Sequence, residues 1–263
     1  MARNTDLGIL GLALMGVAAV GCGGQEPDVE VQTAAIETSN ALTANALTAN
    51  ALTANALTAN ALTANALTAN ALTANALTAN GLKDPLGRQL LKYVVSCALD
   101  DKDSITMSID GKSYTFPGGL GLAEEWGKKG GKCDGECQRW VSACVLSRVD
   151  FLGVEEIISV RGANPALKTD WREFFQYPNA EGTYFGNIFA PGMPMYGCVA
   201  PGKDEIPRVC GPSIDNCPMK IVGSCEKVCG SRTFSGAFVD CSSSGNARKP
   251  EIFHESISVF LTR

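Results

Sequence analysis

Ten cysteines between Cys97 and Cys241 are the residues best able to do chemistry in this chain of 263 residues: Cys97, Cys133, Cys137, Cys144, Cys198, Cys210, Cys217, Cys225, Cys229 and Cys241. An eleventh, Cys22, stands apart near the start. Thiols in this number attach a haem, ligate a metal or oxidise in pairs. Haem attachment is excluded, because no Cys-x-x-Cys-His occurs. Zinc is the rival for part of the set, since Cys133-x3-Cys137 and Cys225-x3-Cys229 have tolerable ligand spacing, although neither is Cys-x-x-Cys. Even parity at this density in an exported chain reads as a disulfide framework of up to five bridges. Metal sites and cofactors are therefore expected to be none.

Catalytic groupings are scarce. His254 is the single histidine, so a histidine-dependent hydrolase would have to use it, with a serine such as Ser142, Ser235 or Ser256 as nucleophile. No Gly-x-Ser-x-Gly occurs. Glu124-Glu125 and Glu155-Glu156 are chain neighbours that point apart on a strand, whereas glycosidase carboxylates oppose each other across a cleft. No catalytic residue is assigned. A formal charge of -5 without a basic run gives no sign of a nucleic-acid partner.

The start of the chain sets the compartment in which the cysteines work. Arg3 opens a basic n-region, and Leu7 to Val20 is an unbroken run of apolar residues and glycine, the length of a signal h-region. It is shorter than the roughly 20 apolar residues that span a bilayer. The following Ala19-Val20-Gly21-Cys22 resembles the bacterial lipobox, in which the cysteine thiol receives a diacylglyceryl group and becomes the acylated amino terminus. Ala19 stands where leucine is commoner. The resemblance implies Cys22 as the lipidation site and a lipid anchor in the cell envelope, assigned to the outer membrane, because acyl chains contribute about 0.8 kcal/mol per buried methylene.

Next come eight unvaried copies of Ala-Leu-Thr-Ala-Asn from Ala41 to Asn80. Leucines five apart step by about 140° around a helix and form no stripe. On a strand an odd period sends them to alternate faces. A square β-solenoid would point each leucine inward, and the array partly resembles pentapeptide-repeat proteins, but forty residues give only two coils. The plain reading is a spacer. Ile36-Glu37-Thr38-Ser39-Asn40 looks like a worn copy, so the expected organisation is a lipoprotein signal peptide (1–21), a flexible leader (22–35), a repeat tether (36–81) and a cysteine-rich domain (82–263).

That domain must position the cysteines. Asp84 and Pro85 make an N-cap and first helical residue, and Leu86, Leu90, Tyr93, Val94 and Cys97 follow at helical spacing. Ser104 to Phe116 alternates around Asp110-Gly111, a hairpin signal. A second helix over Asp134 to Val149 puts Cys137 and Cys144 about 10.5 Å apart along its axis, beyond the roughly 7 Å limit for a bridge. Each should instead reach a cysteine on another element, Cys97 being the expected partner of one, which would make this helix the centre of the framework. A strand at 155–162 follows, then a short helix capped by Thr169 or Asp170, then strands separated by Gly and Pro to the end. The fold class expected is α+β: a disulfide-rich single domain with a mainly antiparallel sheet.

At "LLKYVVSCAL", "CQRWVSACVLSRV" and "EGTYFGNIF" the chain resembles a family of predicted lipoproteins of myxobacteria and related bacteria, which carry N-A/G-L-x-x pentapeptide repeats ahead of a cysteine-rich domain of unknown function. The resemblance implies an envelope location and carries over no functional residue.

Eight of the eighteen aromatic residues fall between Trp171 and Tyr196 among glycines and prolines. Some must be core. Tyr177, Tyr184, Phe185 and Tyr196 are the candidate ligand surface, since exposed aromatic faces suit glycans or protein partners. The expected function is a membrane-anchored binding or structural module, with an anchored hydrolase of polysaccharide or peptide as the alternative.

Overall fold

The computed structural model describes residues 37–40, 42–43, 82–83, 85–127, 133–245 and 249–262, all within the unit Thr33–Arg263. The signal segment, Cys22, the leader to residue 35, Asp84 and the array from residue 44 to 81 lie outside the described residues. Among the described residues, no helix is long and apolar enough to cross a membrane.

The fold is α+β with mainly antiparallel sheets and five disulfides. Two short strands open it, β1 (Glu37–Asn40) and β2 (Leu42–Thr43). Helix α1 (Pro85–Ala98) buries Leu90, Tyr93, Val94 and Cys97 of the face that the spacing marks out, leaves Leu86 half-buried, and buries Leu91 and Val95 besides. It is followed by the hairpin β3 (Ser104–Ile109) and β4 (Lys112–Pro117) in the register set by Asp110-Gly111, both of positive φ as a type I′ turn requires. Helix α2 (Gly135–Ser147) starts at Asp134, whose side chain accepts from the Cys137 N–H and so satisfies an orphan donor of the first turn.

From there the chain builds the main sheet. After β5 (Val149–Asp150), which pairs with β2 outside the sheet, its strands are β6 (Glu156–Arg161), β7 (Asn179–Gly186), β8 (Met195–Val199), β9 (Lys220–Ser224) and, last, β13 (Ser256–Leu261), with β1 at one edge. Between them lie helices α3 (Trp171–Gln176), α4 (Pro207–Cys210) and α5 (Cys225–Val228). Strands β10 (Cys229–Arg232), β11 (Phe238–Ser242) and β12 (Ile252–Phe253) make a second, small sheet. The main order is β1-β6-β13-β7-β8-β9, antiparallel throughout except for β8 with β9.

Strand β13 is covered on both faces and nearly all of it is buried, which explains its use of both residue classes. Ile257 and Val259 join the main core with Tyr184, Ile158 and Val160 and the α2 residues Val141 and Val145. Ser256 and Ser258 are also buried, so their hydroxyls need partners. Ser256 Oγ donates to Phe238 O at 2.8 Å, and Ser258 Oγ accepts from Phe238 N at 2.9 Å and shares a 2.6 Å bond with Thr183. These bonds fasten β11 to the main sheet, over a second core of Phe185, Phe238, Phe253 and four bridged cysteines.

The bridge pattern follows the expectation at one cysteine of α2 and corrects it at the other. Cys144 bonds Cys97, joining α1 to α2. Cys137 bonds Cys133, in the segment leading into its own helix, because a partner preceding the helix start can fold back onto the first turn. Three bridges, Cys198–Cys225, Cys210–Cys217 and Cys229–Cys241, lie in the C-terminal half, so α2 anchors two of the five and is not their centre.

Six residues of the expected tether are described, Glu37–Asn40 and Leu42–Thr43. Glu37 to Asn40, the worn copy of the repeat, pairs with β6 from Ser159 back to Glu156, and Leu42–Thr43 runs parallel to Val149–Asp150. An edge strand offers unpaired N–H and C=O groups, and polar Glu-Thr-Ser-Asn occupies that edge here. The chain thus joins the domain before the array as well as after it.

Candidate functional site

The aromatic segment divides differently from expectation. Tyr177, Tyr184 and Phe185 are buried core, and Tyr196 is half-buried, stacked 5.7 Å from Phe185 and 5.7 Å from Phe253. Strand β7 has helices on one face and the small sheet on the other, so alternation leaves neither Tyr184 nor Phe185 a free side. The candidate ligand surface is not built from these residues.

Among the described residues, the most exposed aromatics are those of α3 and one loop, with Phe151 at 40% standing apart from them. Trp171 is 69% exposed, Phe175 73%, Phe174 43%, and Phe234 stands fully in solvent. With Leu167, Thr169, Asp170 and Ser235 they line a cavity of about 510 Å³. Side chains carrying about 150–250 Å² each, at these exposures, present roughly 500 Å² of apolar surface, near the top of the range for a monomer.

Helix α3 is inverted relative to an ordinary surface helix. Its outward side is aromatic, while inward it buries Glu173. Beneath it lies Arg161, at the end of β6 and only 1% exposed. Its guanidinium donates to Tyr177 O at 2.8 Å, Ser235 O at 3.1 Å and Ser159 Oγ at 3.0 Å. It lies 3.8 Å from the Phe260 ring centre and 4.9 Å from that of Phe174. Burial pushes this guanidinium down and the Glu173 charge opposes that push. One buried cation therefore ties the sheet, α3 and the Phe234 loop together. Asp170 caps α3 by accepting from Arg172 N at 2.8 Å, and the ring edge of Trp171 meets Phe175 at 6.3 Å.

Phe234 sits on a tight turn between β10 and β11. Thr233 N donates to Ala237 O at 2.8 Å, Gly236 N to Thr233 O at 3.0 Å, and Gly236 has φ +85°. A side chain there would be strained and would approach the Phe260 ring. The turn holds an apolar side chain out in water without collapsing it onto the domain.

A second cavity, about 870 Å³, lies at the other end of β6 and is lined by Asp150, Leu152, Glu156, Lys203, Glu205 and Leu261 among others, with Glu181 and Arg208 in its wall. Arg208 and Glu181 are a buried ion pair: Nε lies 2.9 Å from Oε1 and 3.1 Å from Oε2, and Nη2 also bonds Oε2. Tyr184 donates its hydroxyl to Glu181 at 2.9 Å, and Arg208 Nη1 donates to Val149 O at 2.6 Å. Burial would push Arg208 down, but Glu181 more than offsets it and holds the guanidinium above its ordinary value. Burial, with Glu181 beside it, holds the Tyr184 phenol well above 10. The pair is neutralised internally, so it closes the wall of the cavity and leaves no buried charge for a ligand.

The hydrolase residues are not brought together. His254 Nδ1 meets Asp240 at 2.5 Å on an exposed surface. Ser142 Oγ donates to Gln138 O at 2.6 Å and accepts from Ile188 N, Ser235 bonds Thr233, and Ser256 bonds Phe238 O. Among the described residues, none of the three hydroxyls bonds His254. The zinc-spaced thiols enter bridges: Cys225 and Cys229 belong to two neighbouring disulfides, whose Cys198 and Cys229 sulfurs lie 3.8 Å apart.

Sequence reasoning passed over Phe234 altogether and weighted the strands of the aromatic segment above α3. Helical spacing puts Trp171, Phe174 and Phe175 on one side and Glu173 opposite, but does not say which side faces inward. The chain matches no family model, no curated protein and no solved structure.

Proposed function

We propose that this is a lipid-anchored protein of the bacterial cell envelope, resembling the myxobacterial-type repeat lipoproteins, whose disulfide-stabilised domain is a binding module acting through Trp171, Phe174, Phe175 and Phe234. The observation that carries the reading is the inverted helix: Glu173 and Arg161 are buried while four aromatics that line one cavity stand in water, against the usual inside-outside rule. Such departures gather where a surface has a partner. The anchor rests on the signal-length apolar run and Ala-Val-Gly-Cys22, and the outer membrane is its assigned home. The bridges suit an oxidising compartment.

Two measurements test this. Mass spectrometry of the mature amino terminus should find acyl groups on Cys22, and Cys22→Ala should move the protein out of the membrane fraction; normal detergent partitioning of that variant would sink the anchor. Replacing Trp171, Phe175 and Phe234 together by serine should leave all five bridges formed and abolish capture of whatever ligand the intact chain retains. Undiminished capture would remove the aromatic patch from the reading.

A further inference from the structure

The place where the chain enters the fold selects an occupant for the aromatic patch. Strand β1 begins at Glu37, opposite Ser159, and runs back along β6 to Glu156. The segment arriving from Cys22 therefore reaches the sheet at the Arg161 end of β6. That is the end where the Arg161 guanidinium meets the Phe174 ring and Ser235 O, the floor of the patch. Fourteen residues, 23–36, separate Cys22 from β1, a length that spans at most about 50 Å fully drawn out. That reach lets this end of the domain touch the bilayer in which an acyl anchor at Cys22 would sit.

The chemistry of the patch fits a bilayer surface. Trp171 and three phenylalanines are residue types favoured in the interfacial region, where one side of an element is apolar and its flanks are basic. Exposed Lys168 and Arg172 flank the patch, and Asp170 is occupied as the helix cap. Phe234 on its hydrogen-bonded turn and the Trp171–Phe175 face of α3 are two apolar projections from rigid supports.

We infer that the Trp171, Phe174, Phe175 and Phe234 patch is a second membrane contact, which inserts into the interfacial layer of the bilayer that holds the Cys22 anchor. The inference rests on the lipid anchor proposed above. The domain lies down on its membrane on this side and presents the charged cavity and the small-sheet edge elsewhere.

The intrinsic fluorescence is suited to a test. Of the three tryptophans, Trp126 and Trp140 are buried and Trp171 is exposed. The full-length mature protein, acylated, is reconstituted in phosphatidylethanolamine–phosphatidylglycerol vesicles with brominated acyl chains, and the non-acylated Cys22→Ser chain is mixed with the same vesicles. In both arms Trp171 emission should shift to the blue and be quenched by the brominated lipid. In the non-acylated arm, Phe234→Ser should weaken vesicle partitioning about tenfold, as expected for withdrawing one buried phenylalanine. Unshifted, unquenched Trp171 in both arms overturns the membrane contact. A Trp171 contribution, taken as the difference from Trp171→Phe, that is already blue before vesicles are added shows the patch covered by another part of the chain or a second copy, and also overturns it. Capture of a glycan or protein that Phe234→Ser abolishes, with no lipid response, overturns the contact and leaves the binding module standing. An unmodified Cys22 overturns the anchor alone, and the non-acylated arm then decides the patch.

Discussion

Two buried arginines show how the same residue type can cost or contribute stability according to its partner. Arg208 faces the Glu181 carboxylate and two backbone carbonyls. Glu181→Ala should cost about 3–5 kcal/mol in a urea titration, because it strands a buried guanidinium. The double change Glu181→Leu with Arg208→Met should cost clearly less than the single one. A double variant as unstable as the single would mean that the carbonyl bonds, and not the pair, set the energy. Arg148 is the opposite case. It closes α2, is buried, and donates to Ser96 Oγ at 2.5 Å with its Nε unmatched. Burial pushes it down to about 10, with only a weak opposing influence from Tyr93. A guanidinium keeps its proton, so that push registers as a cost of about 3 kcal/mol. A folded value below the unfolded one for a base penalises the charged form at every pH under the folded value. The penalty is relieved only above about pH 10. Arg148→Met should therefore raise stability by about 1–2 kcal/mol after the Ser96 bond is lost, equally at pH 5 and pH 9. A gain that changes across that range would assign the effect to another group.

At the scale of elements, the sequence was most legible where local geometry decides. Asp134, Asp170 and Asp110-Gly111 identify two helix starts and a hairpin turn, and all three stand where their side chains or positive φ demand. Rigid helix rise kept Cys137 from Cys144 and left Cys97 in reach of the latter. What stayed hidden depends on partners remote in sequence. Strands β10, β11 and β12 are short and carry little apolar alternation, and β11 is held to the main sheet by Ser256 and Ser258 of β13. The guanidinium packed under α3 belongs to Arg161, ten residues earlier in the chain, and nothing local to "WREFFQ" announces that its glutamate is the inward residue. The bridges carry a prediction at this scale. Cys97–Cys144 closes 47 residues and Cys133–Cys137 only 4. Chain-entropy reasoning makes the first worth about 4 kcal/mol and the second about 2. Replacing Cys97 and Cys144 by alanine should lower the denaturation midpoint about twice as far as replacing Cys133 and Cys137. Equal losses would show that native packing around α1 and α2, and not loop closure, governs the difference.

For the whole molecule, the decisive feature is that the chain joins the domain on both sides of the repeats. Strands β1 and β2 precede residue 44, and α1 follows residue 81, all belonging to one body. Residues 44–81, 38 in number, connect these two points of one unit, so shortening them tests a closed connection against the expected tether. A tether and a loop respond differently to shortening. Removing four repeat units, Ala51 to Asn70, leaves β1, β2 and α1 intact and cuts the connecting segment from 38 to 18 residues. Loop closure costs about (3/2)RT ln n, so the shortened protein should be more stable by about 0.6 kcal/mol, which is about 1–3 °C in melting temperature for a domain of this size. Its β6 backbone amides should keep their protection from hydrogen exchange, because β1 still covers them. The same deletion in the acylated protein should leave the height of the domain above the vesicle surface unchanged, as read by energy transfer from Trp171 to a headgroup acceptor. A tether would give no change in stability and would bring the domain closer to the membrane in proportion to the residues removed. That pair of results would undock β1 from β6 and restore the array as the spacer.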